Sequence, residues 1–457
     1  MADASQGSRG SAGRSLSRRA LLAGCGALAG GAGLLVWKHT VERASPAAPG
    51  TPGATPATSP AGTAAWPVTA RPYQVNKSLT LSGDRMYVAD EAGDVLALDA
   101  ATGRRHWTFT PRRPGGASDV LVTEAPVDGK GSIFVGSHRG RTAGEVVALS
   151  AADGRPRWSR PAPGPVLGIA LDGTALVYAT DTSLHVLDAL TGGERWTLPL
   201  YASNDLVLRD GLVVTAYRHG PERRDRISAH RLLDGGEVWS HDFPRATVDL
   251  LPTPGPMIAS ASLNPLSGVR GLRLSGHSVP DGRTVWSRAF DRAGTRLESL
   301  TATHAIVTND RNVQALRTGT GETMWTFRQP RDCYPGVWNA GDVVVLAITV
   351  ADRKGYYEMV GLDAGSGGER WRTRRREDTQ EAVTGEGRAY VTLTGNRDRV
   401  VALDLDTGAT LWRTGVPSGS SLVLGRHLLY VCAPDVGEPG GGAIHALDPA
   451  GGEQVRR

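Results

Sequence analysis

One short phrase of residues recurs through the chain and limits what it can fold into. It reads GDVLALDAATGRRHW at Trp107, and looser copies end at Trp158, Trp196, Trp239, Trp286, Trp325, Trp371 and Trp412. A ninth copy, AIHALDPAGGEQV, has Val455 in place of the Trp. The spacings are 51, 38, 43, 47, 39, 46, 41 and 43 residues. A period in the low forties belongs to propeller blades or to helical arrays.

The local pattern decides between them. In the first unit, runs at 78–81, 86–89, 95–99 and 106–110 are separated by turns rich in Gly and Asp. Runs of four to six residues are strand lengths, well short of the ten or more that a helix needs. Four such runs broken by turn residues make an antiparallel meander. Repeated meanders with an aromatic at a fixed place describe an all-β fold, a β-propeller of four-stranded antiparallel blades with eight or nine repeat units. A repeat ring absorbs residues 71–457 as one domain.

Each part of the phrase has a physical job. Gly103, Gly154, Gly192, Gly321 and Gly408 stand where a tight turn needs positive φ. Asp99, Asp188, Asp363, Asp404 and Asp448 can accept hydrogen bonds from turn amides. Trp107, Trp158, Trp196, Trp239, Trp286, Trp325, Trp371 and Trp412 are large, flat and amphipathic, suited to lie over the next blade and bury on the order of 150–250 Å² each. Eight copies at one structural place point to blade docking rather than to ligand stacking.

The N-terminal residues are of another kind. Ser17-Arg18-Arg19-Ala20-Leu21-Leu22 resembles the twin-arginine export motif, and an uncharged run follows to Trp37. Residues 1–43 therefore read as a signal or membrane anchor, placing the chain on the extracytoplasmic face of the cell envelope. Leu22-Ala23-Gly24-Cys25 also spells a lipoprotein box, which makes Cys25 a candidate for lipidation. Residues 44–70, rich in Pro, Ala and Thr, read as a spacer. The three cysteines, Cys25, Cys333 and Cys432, make no disulfide framework, so Cys333 and Cys432 are expected as free buried thiols.

The net charge of +5 is carried almost wholly by Arg. No nucleic-acid module accompanies it. The basic run RWRTRRR at 370–376 reads as a solvated strand and loop, with a polymer-binding patch as the alternative. No zinc, nucleotide or serine-hydrolase motif stands out, and His106, His185, His230, His277 and His445 fall on repeat strands or their flanks.

The AxDxxTGxxxW pattern, as in Ala97-Asp99-Thr102-Gly103-Trp107 and Ala402-Asp404-Thr407-Gly408-Trp412, resembles the PQQ-like β-propeller repeat. That family includes quinoprotein dehydrogenases and BamB-like envelope lipoproteins. The resemblance covers roughly residues 75–457 and implies an eight-bladed ring, whereas nine units can be counted here. It also implies, for the dehydrogenases, a vicinal Cys pair and a Ca²⁺ site, and this chain has no adjacent cysteines. The expected function is thus a non-catalytic scaffold with no cofactor and no metal, whose head is a monomer binding an envelope protein, peptide or glycan. The alternative is a dehydrogenase using PQQ and Ca²⁺.

The resemblance further implies that the segments leading into each innermost strand gather around the axis. Those segments carry Asp119, Asp205, Asp249, Glu298, Asp332, Trp338, Asn339 and Glu381. Such acids would make a negative mouth able to hold a cation or a basic ligand, with Trp338 as an apolar floor.

Overall fold

The short runs of each repeat are strands, and they pair in sequence order into antiparallel sheets. The computed structural model describes residues 66–452 apart from connecting segments, the longest being 71–78, 112–119, 264–270, 350–356 and 435–441. The twin-arginine segment, Cys25, most of the spacer, Asp119, Asp332, Cys333 and Val455 lie outside the described residues.

Nine sheets are present among the described residues, at 79–109, 120–162, 168–199, 201–243, 246–290, 296–328, 336–375, 378–414 and 421–447; we number these blades 1 to 9. The first strands of neighbouring blades approach one another, so the first strand is the innermost and the fourth the outermost. Blade 2 departs from the pattern. Two short strands, Val120–Val122 and Val127–Gly129, share its innermost position and both pair with Ser132–Arg139.

Nine apolar clusters hold the sheets together, and each is built from two consecutive blades. Tyr87, Ala97 and Trp107 of blade 1 pack with Ile133, Val147 and Leu149 of blade 2. The last cluster joins Tyr430, Cys432 and Ile444 of blade 9 to Met86, Val88 and Leu98 of blade 1, so the ring closes on nine blades rather than eight. Alternation along each strand produces this: successive side chains face opposite neighbours, and both faces are apolar. Cys432 is a free buried thiol, as expected, and burial holds it far above its ordinary pKa.

Blade 9 takes its outermost strand from the other end of the chain. Trp66–Ala70 pairs antiparallel with Gly442–Leu447, matching Trp66 to Ile444 and Ala70 to Gly442. The propeller therefore starts at Trp66, inside the stretch that composition assigns to the spacer. Pro67, Thr69 and Ala70 carry no apolar periodicity, and the strand owes its place to the open edge of Gly442–Leu447.

The repeat tryptophans dock as expected. Each indole N–H donates to a backbone carbonyl of the following blade: Trp107 to Ala151 at 3.1 Å, Trp158 to Ala189 at 3.0 Å, Trp196 to Leu232 at 3.0 Å and Trp239 to Val279 at 2.7 Å. Trp286 reaches Thr318 at 2.8 Å, Trp325 reaches Ala364 at 2.7 Å, Trp371 reaches Leu405 at 2.7 Å and Trp412 reaches Pro449 at 3.1 Å. The ring then lies on the turn glycine of that blade. A Cβ at Gly154, Gly192, Gly235, Gly282, Gly321, Gly367, Gly408 or Gly452 would come within 2.4–2.8 Å of it. Those glycines also have φ of 69–76°, so two requirements exclude any side chain there.

The Asp latch also forms. Asp99 Oδ1 accepts the Thr102 N–H at 2.7 Å and its hydroxyl at 2.6 Å, and Asp404 does the same with Thr407 at 2.8 and 2.7 Å. At Ser150, Arg231 and Ser278, the acid moves to the residue before the Gly. Asp234 then accepts the Gly236 N–H at 2.9 Å, and Asp281 accepts that of Arg283 at 3.1 Å. In blade 6, where neither position is acidic, the Thr320 hydroxyl accepts the Glu322 N–H at 3.4 Å instead.

Candidate functional site

The axial residues sit within the innermost strands themselves rather than in the loops leading to them. Asp205 belongs to Tyr201–Arg209, Asp249 to Ala246–Leu251, Glu298 to Arg296–Leu300, and Glu381 to Asp378–Gly385. Trp338 and Asn339 belong to Gly336–Ala340. In blades 4, 6 and 8 the strand register shifts beside the acid, between Tyr201 and Asp205, Leu297 and Ser299, and Thr379 and Glu381. A bulge re-aims a side chain and bends the strand.

Packing fixes where these side chains face. Val248 and Leu250 pack against blade 4, so Asp249 between them faces blade 6. Asp249 is open to solvent yet flanked by blades on both sides, and that enclosure raises its carboxyl above the ordinary range. Glu298 accepts a hydrogen bond from Thr308 Oγ1 at 2.9 Å. Ile306, on the same face as Thr308, packs into blade 7, so Glu298 turns toward blade 7. Burial pushes the Glu381 carboxyl up to about 7, partly offset by the Leu422 N–H of blade 9. Its own N–H donates to Thr392 Oγ1 at 3.1 Å.

Asp249, Glu298 and Glu381 therefore face three different blade junctions. Among the described residues no three His, Cys, Asp or Glu groups lie together in a way that could hold a metal ion. Calcium takes six to eight oxygens at one point. Asp249, Glu298 and Glu381, facing three junctions, do not by themselves make such a donor set. Trp338 is half-buried and packs with Val343, Val345, Ala389 and Val391 between blades 7 and 8, with Gly336 beneath its ring. Asn339, on the opposite face of that strand, keeps both side-chain polar atoms buried and without a protein partner. Its carbonyl accepts from Thr384 Oγ1 at 3.2 Å.

Three arginines of the basic run around Trp371 are ion-paired in place. Arg370 contacts Asp342, Asp363 and Asp406, Arg372 contacts Glu358 and Glu369, and Arg374 contacts Glu358. Arg370 and the Ser366 hydroxyl hold the Asp363 carboxyl far below its usual value. These arginines tie blade 7 together and reach Asp406 of blade 8.

Sequence reasoning missed Tyr430. Its Oη donates to the Ala100 carbonyl at 2.8 Å, and Ala100 stands at the turn position whose carbonyl takes an indole N–H in the other eight blades. The signal was present in the repeat: Tyr390, at the matching place in blade 8, reaches the Pro449 carbonyl at 3.3 Å beside Trp412.

Among known proteins, the chain is 26% identical over 173 residues to the outer membrane protein assembly factor BamB of Yersinia pestis, covering 36% of this chain and 43% of that protein. It is 29% identical over 150 residues to BamB of Alkalilimnicola ehrlichii, covering 30% and 38%. The chain thus spans about two fifths of the length of these curated relatives. A solved BamB from Moraxella catarrhalis superposes with a TM-score of 0.44 at 15% identity, over 82% of this chain and 94% of that one. The family model described as outer membrane protein assembly factor BamB matches residues 26–132, 48–166, 118–220 and 223–455. With nine indole- or tyrosine-sealed junctions and that match over most of its length, the chain belongs to this family of PQQ-like repeat propellers.

Proposed function

We propose that this protein is a scaffold of the bacterial cell envelope whose axial face binds a partner and carries out no chemistry. Its N-terminal segment directs export and holds it at the membrane, and its propeller head binds a protein partner. The observation that supports this best is the distribution of Asp249, Glu298 and Glu381 over three junctions. That arrangement suits an extended basic segment of a partner laid across the mouth better than a small cofactor bound at one point. The relatives are described as factors of outer membrane protein assembly, and a protein partner in that setting agrees with them.

The test is capture from envelope membranes with the folded head as bait, comparing wild type with an Asp249→Asn/Glu298→Gln/Glu381→Gln head. A partner retained by wild type and released by the triple variant or by salt supports the reading. Equal capture by both heads would move the binding face elsewhere. Calorimetry with PQQ and Ca²⁺ should show no saturable heat. A quinone absorbance with dye reduction would instead make the protein a dehydrogenase.

A further inference from the structure

A cluster on blade 3 has no part in docking or in the mouth. Ser183 Oγ lies 2.8 Å from His185 Nε2, and His185 Nδ1 lies 3.0 Å from Glu194 Oε2. Ser183 and His185 are two residues apart on the third strand, Ser183–Asp188, and so share a face; Glu194 opens the neighbouring outermost strand, Glu194–Pro199. His185 is buried and stacks on Tyr178, with ring centroids 4.6 Å apart and planes within 4°, which fixes its orientation.

The surrounding hydrogen bonds settle where the protons stand. Thr180 Oγ1 accepts the N–H of Thr182 at 3.2 Å and that of Ser183 at 3.0 Å, which uses both of its lone pairs. Its own proton goes to the Ser183 carbonyl at 3.2 Å or the Ser183 oxygen at 2.9 Å. The Ser183 hydroxyl proton is left for His185 Nε2. The imidazole must then carry its own proton on Nδ1 and donate it to Glu194. Hydroxyl, imidazole and carboxylate are thereby set in the order that activates a serine.

Two other Ser-x-His pairs show what is particular to blade 3. Ser228 with His230 and Ser275 with His277 have the same oxygen-to-Nε2 contact, at 2.8 and 2.9 Å. Their Nδ1 atoms face the Gly235 and Gly282 carbonyls instead of a carboxylate, and both serines are sealed in the core. In blade 3 the pair sits two residues nearer the start of the strand, and Ser183 is only half-buried beside the exposed Asp181 and Thr182. Arg160 of blade 2 is exposed on the side of its strand that faces blade 3, and its charge acts on Tyr178.

We infer that Ser183, His185 and Glu194 form an ester-hydrolysing centre in the outer cleft between blades 2 and 3, accepting small acyl esters with an anionic acyl group. Ser183 Oγ forms a bond to the acyl carbon while its proton passes to His185 Nε2. The ester C–O bond breaks, and His185 returns the proton to the leaving alcohol. Water, deprotonated by the same nitrogen, then releases the acid and restores Ser183. Glu194 holds the imidazole in its productive tautomer, and Arg160 supplies the positive charge for the acyl carboxylate. This property is separate from partner binding at the mouth and stands or falls independently of it.

The test is reaction of the whole protein with a fluorophosphonate probe, read by intact mass and peptide mapping, together with hydrolysis of p-nitrophenyl acetate and p-nitrophenyl succinate. One adduct at Ser183 is expected, with Ser228 and Ser275 unmodified. His185→Gln should slow labelling by roughly 100-fold or more, in line with the loss of a positioned general base. Glu194→Gln, on the exposed outer strand, should slow it about tenfold and keeps the test open if His185→Gln does not fold. Arg160→Ala should raise KM for the succinate ester and leave the acetate ester unchanged. An unlabelled Ser183, or labelling at the same rate in the His185 and Glu194 variants, overturns the inference.

Discussion

Between blades 1 and 2 the indole of Trp107 reaches the Ala151 carbonyl, whereas between blades 9 and 1 the corresponding carbonyl, that of Ala100, is met by Tyr430 Oη. The two junctions share an apolar cluster of similar make-up and differ in what seals it. Trp107 comes from the outermost strand and covers the turn of the next blade from outside. Tyr430 comes from the second strand, Leu429–Pro434, and approaches from nearer the axis. Blade 8 carries both devices, with Trp412 and Tyr390 converging on the Pro449 carbonyl. The first and last strands of the propeller meet in blade 9, where the outermost strand is Trp66–Ala70 and brings no repeat tryptophan. A ring can therefore be closed from its inner strands when the outer one is contributed by a separate part of the chain. What must be conserved physically is the hydrogen bond to one buried turn carbonyl, since a carbonyl left unpaired there costs about 1–3 kcal/mol.

The comparison can be broken most severely at the closing strand. A chain starting at residue 71 loses Trp66–Ala70 and leaves Gly442–Leu447 as an open edge. Hydrogen exchange should then show lost protection across 429–447 while blades 3 to 6 stay protected. Uniform protection would mean that the strand is dispensable. Trp325→Ala comes next. It empties a site buried to 6% exposure and abandons the Ala364 carbonyl, so a loss of about 3–5 kcal/mol is expected in denaturant unfolding. A melting temperature within a degree of wild type would remove the docking role.

Tyr430→Phe deletes only the hydroxyl at the ninth junction. A loss of about 1 kcal/mol is expected, against nearly none for Tyr390→Phe, because Trp412 still serves the Pro449 carbonyl. Equal losses from the two substitutions would show that tyrosine does not stand in for the missing indole.

The smallest effect is one of pH. Burial raises the Glu381 carboxyl in the folded protein to about 7 from 4.5. The folded state thus holds a proton that the unfolded chain has released between those values. Its contribution to stability is present in full below pH 4.5 and is lost as pH rises through about 7. Glu381→Gln should raise the melting temperature at pH 8 and leave it unchanged at pH 4. The acidic side has the opposite sign. Arg195 and the turn amides hold Asp188 at about 2, so its contribution is present above its unfolded value near 3.8 and lost as pH falls through 2. A variant with the same melting temperature as wild type at both pH values would place Glu381 in open water.

The eight tryptophans, the turn glycines and the shifting turn acids were legible because each is imposed locally and repeated. A glycine at positive φ and an indole over it leave the same mark in every unit, and the mark survives changes such as Asp188 to Arg231 at the turn start. The four-stranded meander follows from run length alone. The sequence therefore determined the blades, their number to within one, and the burial of Cys432. Tertiary structure decided the rest. Trp66–Ala70 has no strand signature and is ordered by an edge some 370 residues away in the chain. Acids that look like a cluster when read unit by unit end in different junctions, with Asp249 facing blade 6, Glu298 blade 7 and Glu381 blade 9. The relay of Ser183, His185 and Glu194 depends on which lone pairs Thr180 has already spent. Periodic order is written in every repeat, but convergence of unlike residues depends on distances between strands, which no single repeat encodes.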